Sequence, residues 1–280
     1  MSLLLQMLKS KIENMTLQYN YIKILFVSLF MLSSLSLLAQ QENLFTEENF
    51  VHETDTLKYR MLLPENFDES NQYPLVLFLH GAGERGDDNK KQLVHGSKLF
   101  LDNTNRGAFP AIVIFPQCPK NSYWSNAEVD RSSYPISLSF PKDKEATKPM
   151  QLVIGLMQEL TGKDYVNKDK VYVGGLSMGG MGTFEILSRQ PDMFAAAFVI
   201  CGDGNTELTK NYATKVDLWV FHGANDDVVD PRGSVKMVNA ILENGGKPNF
   251  TLYADDNHNS WDSAFAEPEL LTWLFSKSKN

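Results

Sequence analysis

The sequence predicts an α/β fold in which a mostly parallel sheet is covered by helices on both faces. Short continuous apolar runs, typical of strands buried on both sides, recur along the chain. Amphipathic helical patterns alternate with these runs, which favours right-handed crossovers between parallel strands. The stretch 171–182, VYVGGLSMGGMG, is the third observation, because it begins as a β-branched strand, tightens through glycines and continues as a helix.

The predicted elements follow one another in a regular order. Residues 50–63 alternate between apolar and polar side chains around a central TDT, which predicts an antiparallel hairpin. Buried strands are predicted at 75–80, 111–115, 171–175, 195–200, 218–222 and 249–253. Helices are predicted at 89–101, 150–160, from the glycine-rich stretch to about 189, at 232–243 and at 268–275. The long segment 116–148 is predicted to be irregular.

Residues 1–40 are predicted to be a signal peptide. Lysines precede an uncharged apolar run, 24–39, which is too short to span a bilayer comfortably and ends in small residues. We expect cleavage near residue 40, which leaves residues 41–280 as one catalytic domain. Met15 is an alternative start, and an uncleaved amino-terminal anchor is the competing interpretation.

The charge of the mature chain limits its partners. Removing residues 1–40 takes away three basic residues and one acidic residue, which leaves 23 basic and 33 acidic residues and a net charge of −10. A protein this acidic is not expected to bind nucleic acid or an anionic membrane surface. We expect no stable membrane association after cleavage of the signal peptide, and a secreted or periplasmic location.

The two cysteines are predicted to be buried free thiols. Cys118 and Cys201 follow strands that we expect to lie three positions apart in the sheet. That separation is roughly 14 Å at the usual spacing between strands. A disulfide needs Cα atoms within about 7 Å of each other. Neither C-x-x-C nor a His/Cys ligand spacing occurs, so we expect no metal and no other cofactor.

Gly175-x-Ser177-x-Gly179 matches the G-x-S-x-G pattern of a nucleophile elbow. A strand that turns sharply into a helix strains its turn residue and pushes that side chain into the open. The residues two before and two after the serine approach each other closely, so a Cβ atom there would clash. The start of the helix beside Ser177 directs N–H groups towards developing negative charge. The competing interpretation is a glycine-rich helix start with an incidental serine.

The base that activates Ser177 is predicted to be His258. A serine hydroxyl is a weak nucleophile and needs a base in contact with it. In this architecture the chain order is serine, acid, histidine, and only His222 and His258 follow the serine. His258 comes after the last strand, which leaves room for an acid before it. His80 and His222 compete at strand ends, but we expect them to hold loops by hydrogen bonds.

The acid that orients the imidazole is expected after the penultimate strand, where Asp226 lies. Its neighbour Asp227 is the second candidate, and Asp203, after the preceding strand, is the third. The competing interpretation is a solvated acidic turn that caps the helix at Arg232. These aspartates lack the full spacing of a calcium-binding loop, so a calcium site is not expected.

Two backbone N–H groups are needed where the tetrahedral oxygen will sit. One is expected from Met178, the residue after the nucleophile. The other is expected from the glycine-rich turn after the strand 75–80, where Ala82 is the best candidate. The competing interpretation is a tight turn without a catalytic role.

The motifs together are similar to those of one family. The residues that carry the resemblance are 79–86 (LHGAGERG), 116–119 (PQCP), 174–180 (GGLSMGG), 221–229 (FHGANDDVV), and His258 with Trp261, spread over nearly all of 50–275. The chain resembles α/β-hydrolases of the phospholipase/carboxylesterase and polyhydroxybutyrate-depolymerase-like esterase group, some of which are called predicted peptidases. The resemblance implies an α/β-hydrolase fold and metal-independent hydrolysis of carboxylic esters through an acyl-enzyme.

One motif of the resemblance bears on the acid. In the family pattern H-G-x-x-D-x-x-V-P the aspartate maps onto Asp226. Here Asp230 stands where proline is usual, and Pro231 follows one place later.

The loops indicate an open site with aromatic side chains. About 17 residues separate the strands 195–200 and 218–222, too few for a large cap domain. Tyr123, Trp124, Tyr134 and Trp261 lie in loops on the catalytic side, and aromatic faces can stack on sugars or phenolic groups. Tyr123, Trp124 and Trp261 are the candidates for substrate binding, and local loop packing is the competing interpretation.

The sequence as a whole therefore predicts a secreted serine esterase that acts on a small-molecule or polysaccharide-linked ester. Acetyl or feruloyl esters of plant polysaccharide are the leading hypothesis for its substrate. The alternatives are a serine peptidase with the same fold and a catalytically inactive carbohydrate-binding module.

Overall fold

The computed structural model describes residues 44–279, together with the single residues Met7 and Lys23. Apart from those two residues, the predicted signal peptide lies outside the described residues. All the elements below belong to one compact unit, Phe45–Asn280. In the part of the chain that is described, no helix is long and apolar enough to cross a bilayer.

A central sheet organises this unit. The strands are β1 (Phe45–His52), β2 (Asp55–Leu62), β3 (Tyr73–Leu79), β4 (Ile112–Pro116), β5 (Glu128–Asp130), β6 (Ser137–Ser139), β7 (Val166–Leu176), β8 (Ala196–Ile200), β9 (Asp217–Gly223) and β10 (Asn249–Tyr253). Eight of them form one sheet in the order β1-β2-β4-β3-β7-β8-β9-β10. The pairs β1–β2 and β2–β4 are antiparallel and all other neighbours are parallel. The predicted parallel sheet with an antiparallel amino-terminal hairpin is confirmed.

Helices cover both faces of the sheet, as predicted. They are α1 (Ser97–Leu101), α2 (Asn103–Ala108), α3 (Lys148–Thr161), α4 (Met178–Arg189), α5 (Arg232–Glu243), α6 (Trp261–Phe265) and α7 (Leu270–Phe275). Side chains from α3, α4 and α5 pack in the core on one face. Side chains from α1, α6 and α7 pack in the core on the other face.

Strand β3 shows why the sheet is buried on both sides. Successive side chains of a strand point to opposite faces. Leu75, Leu77 and Leu79 belong to the first core, whereas Val76 and Phe78 belong to the second. All five are 0% exposed, and burial of each such side chain contributes about 1.5–3 kcal/mol. The carboxyl end of β3 is therefore held rigidly beside that of β7, which carries the elbow.

The prediction of one continuous helix at 89–101 is wrong in detail, because the helical structure is interrupted within this range. A short 3₁₀ turn, Lys91–Leu93, precedes Gly96, which has φ +84° and caps the start of α1. A Cβ at Gly96 would lie 2.9 Å from the ring of Phe78. Glycine is needed there both for the left-handed backbone and for the close approach to the sheet.

The segment 116–148 is not wholly irregular, which corrects a second prediction. Strands β5 and β6 form an antiparallel hairpin within it. The N–H of Ile136 donates to the carbonyl of Val228 over 2.9 Å, which joins this hairpin to the loop after β9. Between β8 and β9 the described secondary structure is one 3₁₀ turn, Thr206–Asn211, in agreement with the absence of a large cap domain there.

Candidate active site

Ser177 occupies the sharp turn between β7 and α4. Its φ of 53° and ψ of −118° are unusual for a residue with a side chain, so the backbone is strained there. A Cβ at Gly175 would lie 2.3 Å from the carbonyl oxygen of Gly179, and a Cβ at Gly179 would lie 1.8 Å from that of Leu79. The close approach predicted for the two glycines is confirmed. They allow the turn that presents the Ser177 side chain to the pocket at this sheet edge.

We expect Gly179→Ala to destabilise the fold by several kcal/mol, about 3 or more, because the new methyl group meets rigid backbone. Gly107→Ala is the matched control, since a Cβ at Gly107 within α2 meets nothing within 4 Å. The control should be neutral or stabilising by up to about 1 kcal/mol. Urea unfolding of both variants measures the difference, and equal midpoints would contradict the steric argument.

A continuous hydrogen-bonded path joins three side chains that are distant in sequence. Nε2 of His258 lies 3.1 Å from the Ser177 hydroxyl oxygen, and Nδ1 of His258 lies 2.8 Å from an Asp226 carboxylate oxygen. The carboxylate can only accept, so Nδ1–H donates to it and Nε2 is free to accept the serine proton. This is the geometry that general-base activation of a serine requires.

The carboxyl group of Asp226 is buried and surrounded by donors. One oxygen accepts hydrogen bonds from the N–H groups of Val228 and Val229, both over 2.9 Å. The other oxygen lies 3.1 Å from Nε2 of His222, in addition to its contact with His258. Burial alone would raise the pKa of Asp226, but the hydrogen bonds from the two histidines and from the backbone outweigh it and lower that pKa. The group therefore remains negatively charged beside the imidazole.

The other aspartates named as candidates lie elsewhere. Asp227 is exposed, although it is the next residue along the chain. Asp203 lies 3.0 Å from Nζ of Lys236. Asp230 accepts a hydrogen bond from the N–H of Arg232, the first residue of α5, over 2.9 Å, while Pro231 occupies the N-cap position.

The two other buried histidines hold loops, as predicted. Nε2 of His222 lies 3.0 Å from the carbonyl of Val229, and its Nδ1 lies 2.7 Å from the Ser234 hydroxyl. Nε2 of His80 accepts from the N–H of Cys118, so its Nδ1 carries the proton and donates to the carbonyl of Gly81. Burial lowers the pKa of His80 to about 4, which keeps it neutral. His222 also supports Asp226 directly, a contact that the sequence did not predict.

The two expected oxyanion donors lie on the pocket with Ser177. Met178 is the first residue of α4, and Ala82 is the first residue of a 3₁₀ turn, Ala82–Glu84. The first N–H groups of a helix have no acceptor within that helix. In residues 44–279 neither of these N–H groups donates to an acceptor outside its helix. Both are therefore available to a ligand, which is consistent with the predicted roles.

The pocket beside Ser177 has a volume of about 230 Å³ and takes part of its lining from the hairpin β5–β6. Two of the three aromatic candidates, Tyr123 and Trp261, line it. Trp124 does not, and its prediction as a substrate-binding residue is wrong. It is 0% exposed, and its indole N–H donates to the carbonyl of His80 over 3.0 Å. Its large ring belongs to the core beneath the site.

Several residues of the pocket were missed from the sequence. Glu84 and His95 line it, with 3.9 Å between the carboxylate and the imidazole, and the His95 ring contacts Trp261 at 5.1 Å. Arg131 and apolar side chains of the hairpin also line it. Glu84 lies within the motif 79–86, but its place in the pocket was not predicted. No local pattern marks Arg131 and the apolar side chains of the hairpin, because only the tertiary fold brings the hairpin to Ser177.

Both cysteines are buried free thiols, as predicted. Burial raises the pKa of Cys118 to about 12, and burial followed by the charge of Asp226 raises that of Cys201. Cys201 is close enough to Asp226 and His258 to share an ion with them, and this is the one such group in the described residues. A thiol that stays protonated is a poor ligand, and the other two members are already joined to each other.

The family model of phospholipases and carboxylesterases matches residues 67–268. Lysophospholipase-like protein 1 of Mus musculus is 29% identical over 168 residues, which are 55% of this chain and 66% of the mouse protein. Probable feruloyl esterase C of Aspergillus niger is 21% identical over 225 residues, 77% of this chain and 72% of the fungal protein. The crystal structure of a thermostable esterase has a TM-score of 0.75 and 31% identity, and the match covers 85% of this chain and 64% of that one.

The match thus spans just under two thirds of the mouse protein and of the thermostable esterase. The family model, in contrast, covers the part of the chain that contains the elbow, both oxyanion candidates, Asp226 and His258. The chain therefore belongs to the phospholipase/carboxylesterase family and has the α/β-hydrolase fold.

Proposed function

We propose that this protein hydrolyses carboxylic esters through an acyl-enzyme on Ser177. The observation that carries the proposal is the path from the Ser177 hydroxyl through His258 to Asp226, with contacts of 3.1 and 2.8 Å. Family membership supports the ester as the reacting group. The strained turn at Ser177 and the free N–H groups of Ala82 and Met178 support an acyl-transfer site.

The chemistry proceeds in two halves. Oγ of Ser177 attacks the ester carbonyl while Nε2 of His258 takes the hydroxyl proton, and the N–H groups of Ala82 and Met178 stabilise the oxyanion. The oxyanion collapses, the C–O bond to the alcohol breaks, and His258 returns the proton to the leaving alkoxide. Water then attacks the acyl-enzyme while His258 takes its proton, the bond between the acyl carbon and Oγ of Ser177 breaks, and His258 returns the proton to Oγ as the carboxylic acid leaves.

The proposed substrates are acetyl or feruloyl esters on plant polysaccharide, and the proposed location is outside the cytoplasm. The support for the substrate is the resemblance to a probable feruloyl esterase and the aromatic lining of the pocket by Tyr123 and Trp261. The support for export is the charge and hydropathy pattern of residues 1–40. These residues would be removed, leaving 41–280 as the active domain.

The two alternatives receive less support. A serine peptidase would use the same three side chains, but membership of the phospholipase/carboxylesterase family favours an ester over a peptide bond. A catalytically inactive carbohydrate-binding module would have no need for the intact path from Ser177 to Asp226.

Activity-based labelling tests the proposal. A fluorophosphonate probe should label the purified protein at Ser177, and hydrolysable esters should compete with the label. Methyl ferulate and acetylated xylan, each compared with a short 4-nitrophenyl ester and with a peptide 4-nitroanilide, then test the substrate class. Failure to label would contradict the serine mechanism. Labelling without turnover of methyl ferulate or acetylated xylan would remove the polysaccharide hypothesis alone.

A further inference from the structure

Two arginines near Ser177 differ from the other arginines of this protein. The chain has six arginines, and four of them form ion pairs with an acidic side chain: Arg60, Arg106, Arg189 and Arg232. For Arg85 and Arg131, no carboxylate oxygen within the described residues lies within 4.0 Å of the guanidinium. Both surround one side chain of the pocket, Tyr123.

Tyr123 joins the two arginines into one group, which we call the Arg–Tyr–Arg cluster (Arg85, Tyr123, Arg131). The guanidinium of Arg85 lies 4.5 Å from the centre of the Tyr123 ring. Arg85 is held there because Nε donates to the carbonyl of Ala82 over 3.0 Å and Nη1 donates to that of Ser122 over 3.1 Å. The positive charge of Arg131, which lines the same pocket as Tyr123, acts on the phenol as well. Arg131 and Tyr123 line the pocket, and Arg85 lines the adjoining groove.

The phenol of Tyr123 is polarised by this arrangement. Burial would raise the pKa of Tyr123, but the interactions of the phenol with Arg131 and Arg85, both positively charged, outweigh it, and the pKa is lowered. Within the described residues the Tyr123 hydroxyl has no hydrogen-bond acceptor, so the phenol O–H remains able to donate to a ligand. The pocket therefore offers a guanidinium fork and a strengthened hydroxyl donor, both of which suit a planar carboxylate.

The remaining lining is divided between apolar and acidic side chains. Val129, Ile136, Leu138 and Met181 line the same pocket as Arg131. Glu84 is the acidic residue in the lining, and its contact is with His95 rather than with either arginine. A substrate held at Ser177 can thus place an apolar portion against the hairpin and a charged portion at the Arg–Tyr–Arg cluster.

We propose that Arg131 and Tyr123, with Arg85 holding Tyr123 in place, bind a carboxylate carried by the ester substrate. This inference rests on the proposed esterase function and names a substrate class within it, that of esters with a free carboxylate on their acyl or alcohol part. The enzyme then prefers an anionic ester to a neutral ester of the same shape, although the protein as a whole is acidic.

Two matched pairs of substrates test this preference. On the acyl side, the mono-4-nitrophenyl ester of adipic acid is compared with 4-nitrophenyl hexanoate, which has the same number of acyl carbons. On the alcohol side, 4-carboxyphenyl acetate is compared with phenyl acetate. The quantity measured is the ratio of kcat/KM for the anionic member to that for the neutral member. In at least one pair this ratio should be about 10, which is the effect expected of one charge-assisted hydrogen bond.

Variants at Arg131 assign the preference to the cluster. Arg131→Gln should lower the ratio about tenfold, and Arg131→Lys should lower it less, because lysine keeps the charge but loses the fork. Lys144→Gln is the matched control: it removes a positive charge paired with Glu128 of the hairpin, outside the pocket, and should leave the ratio unchanged. Arg131 is exposed in a loop, so both variants should fold, which thermal unfolding checks.

The outcomes separate this inference from the proposed function. Hydrolysis of the neutral esters with no anionic preference, or with a preference that survives in Arg131→Gln, overturns the carboxylate site and leaves the esterase intact. If Lys144→Gln loses the anionic preference to the same degree as Arg131→Gln, the preference is a general effect of charge, and the carboxylate site is overturned. Absence of hydrolysis of all four esters, with no fluorophosphonate labelling, contradicts the esterase itself and with it the inference.

Discussion

Ser177→Ala is expected to lower kcat/KM for 4-nitrophenyl acetate by about 10⁴-fold or more. That factor corresponds to about 5.5 kcal/mol of lost transition-state stabilisation. The methyl group removes the nucleophile, so no acyl-enzyme can form. His258 and the N–H groups of Ala82 and Met178 remain, so a small residual rate above the uncatalysed reaction is expected.

A serine on the following helix provides the control for this experiment. The hydroxyl of Ser188 donates to the carbonyl of Glu185 within α4 and lies outside the pocket. Ser188→Ala should keep the activity of the wild type within about twofold, because surface substitutions of this kind usually have small effects. Retention of most activity by Ser177→Ala, with an unchanged fold, would exclude Ser177 as the nucleophile.

Asp226→Asn is expected to lower kcat/KM by about 10³- to 10⁴-fold while leaving the fold in place. The neutral amide cannot stabilise the imidazolium that forms when His258 takes the serine proton. Its NH₂ group also competes with Nδ1–H of His258, which favours the wrong tautomer. Steady-state kinetics on 4-nitrophenyl acetate measure the loss, and circular dichroism checks that the buried site still folds.

Asp227→Asn is the matched control, because it makes the same chemical change one residue away. Asp227 is exposed, whereas Asp226 is 4% exposed and lies 2.8 Å from His258. The control should retain activity within about twofold. A large loss in Asp227→Asn together with activity in Asp226→Asn would reverse the assignment of the acid.

The parallel sheet and the elbow could be predicted because their signals are local. A strand buried on both faces must be apolar throughout, so the runs beginning at Leu75 and Val171 are visible without any tertiary information. The glycines flanking Ser177 are visible as a local pattern, although only the Cβ at Gly175 would meet the turn itself, at Gly179, whereas a Cβ at Gly179 would meet Leu79 of β3. The strand ends then place His80 and His222 near the site whatever the loops do.

The pocket could be predicted only in part, because its lining depends on how loops pack. Tyr123 and Trp124 are neighbours of similar chemistry, yet Tyr123 lines the pocket and Trp124 is fully buried. The hairpin β5–β6 is short and its strands lack a strong pattern, so its contribution to the pocket was not visible. The break at Gly96 was missed because its cause, the ring of Phe78, is distant in sequence.

The amino-acid sequence by itself determined the layered α/β fold, the sharp turn at Ser177 and the order of the proposed nucleophile, acid and base along the chain. These depend on backbone geometry and burial, which residue types express directly. Only the tertiary structure showed that Asp226, and not its neighbour Asp227, contacts His258, and only it brought Arg131 to the pocket. Adjacent aspartates have the same chemistry, and what distinguishes them is direction: the N–H groups of Val228 and Val229 and the imidazole of His222 surround one carboxylate and leave the other in solvent.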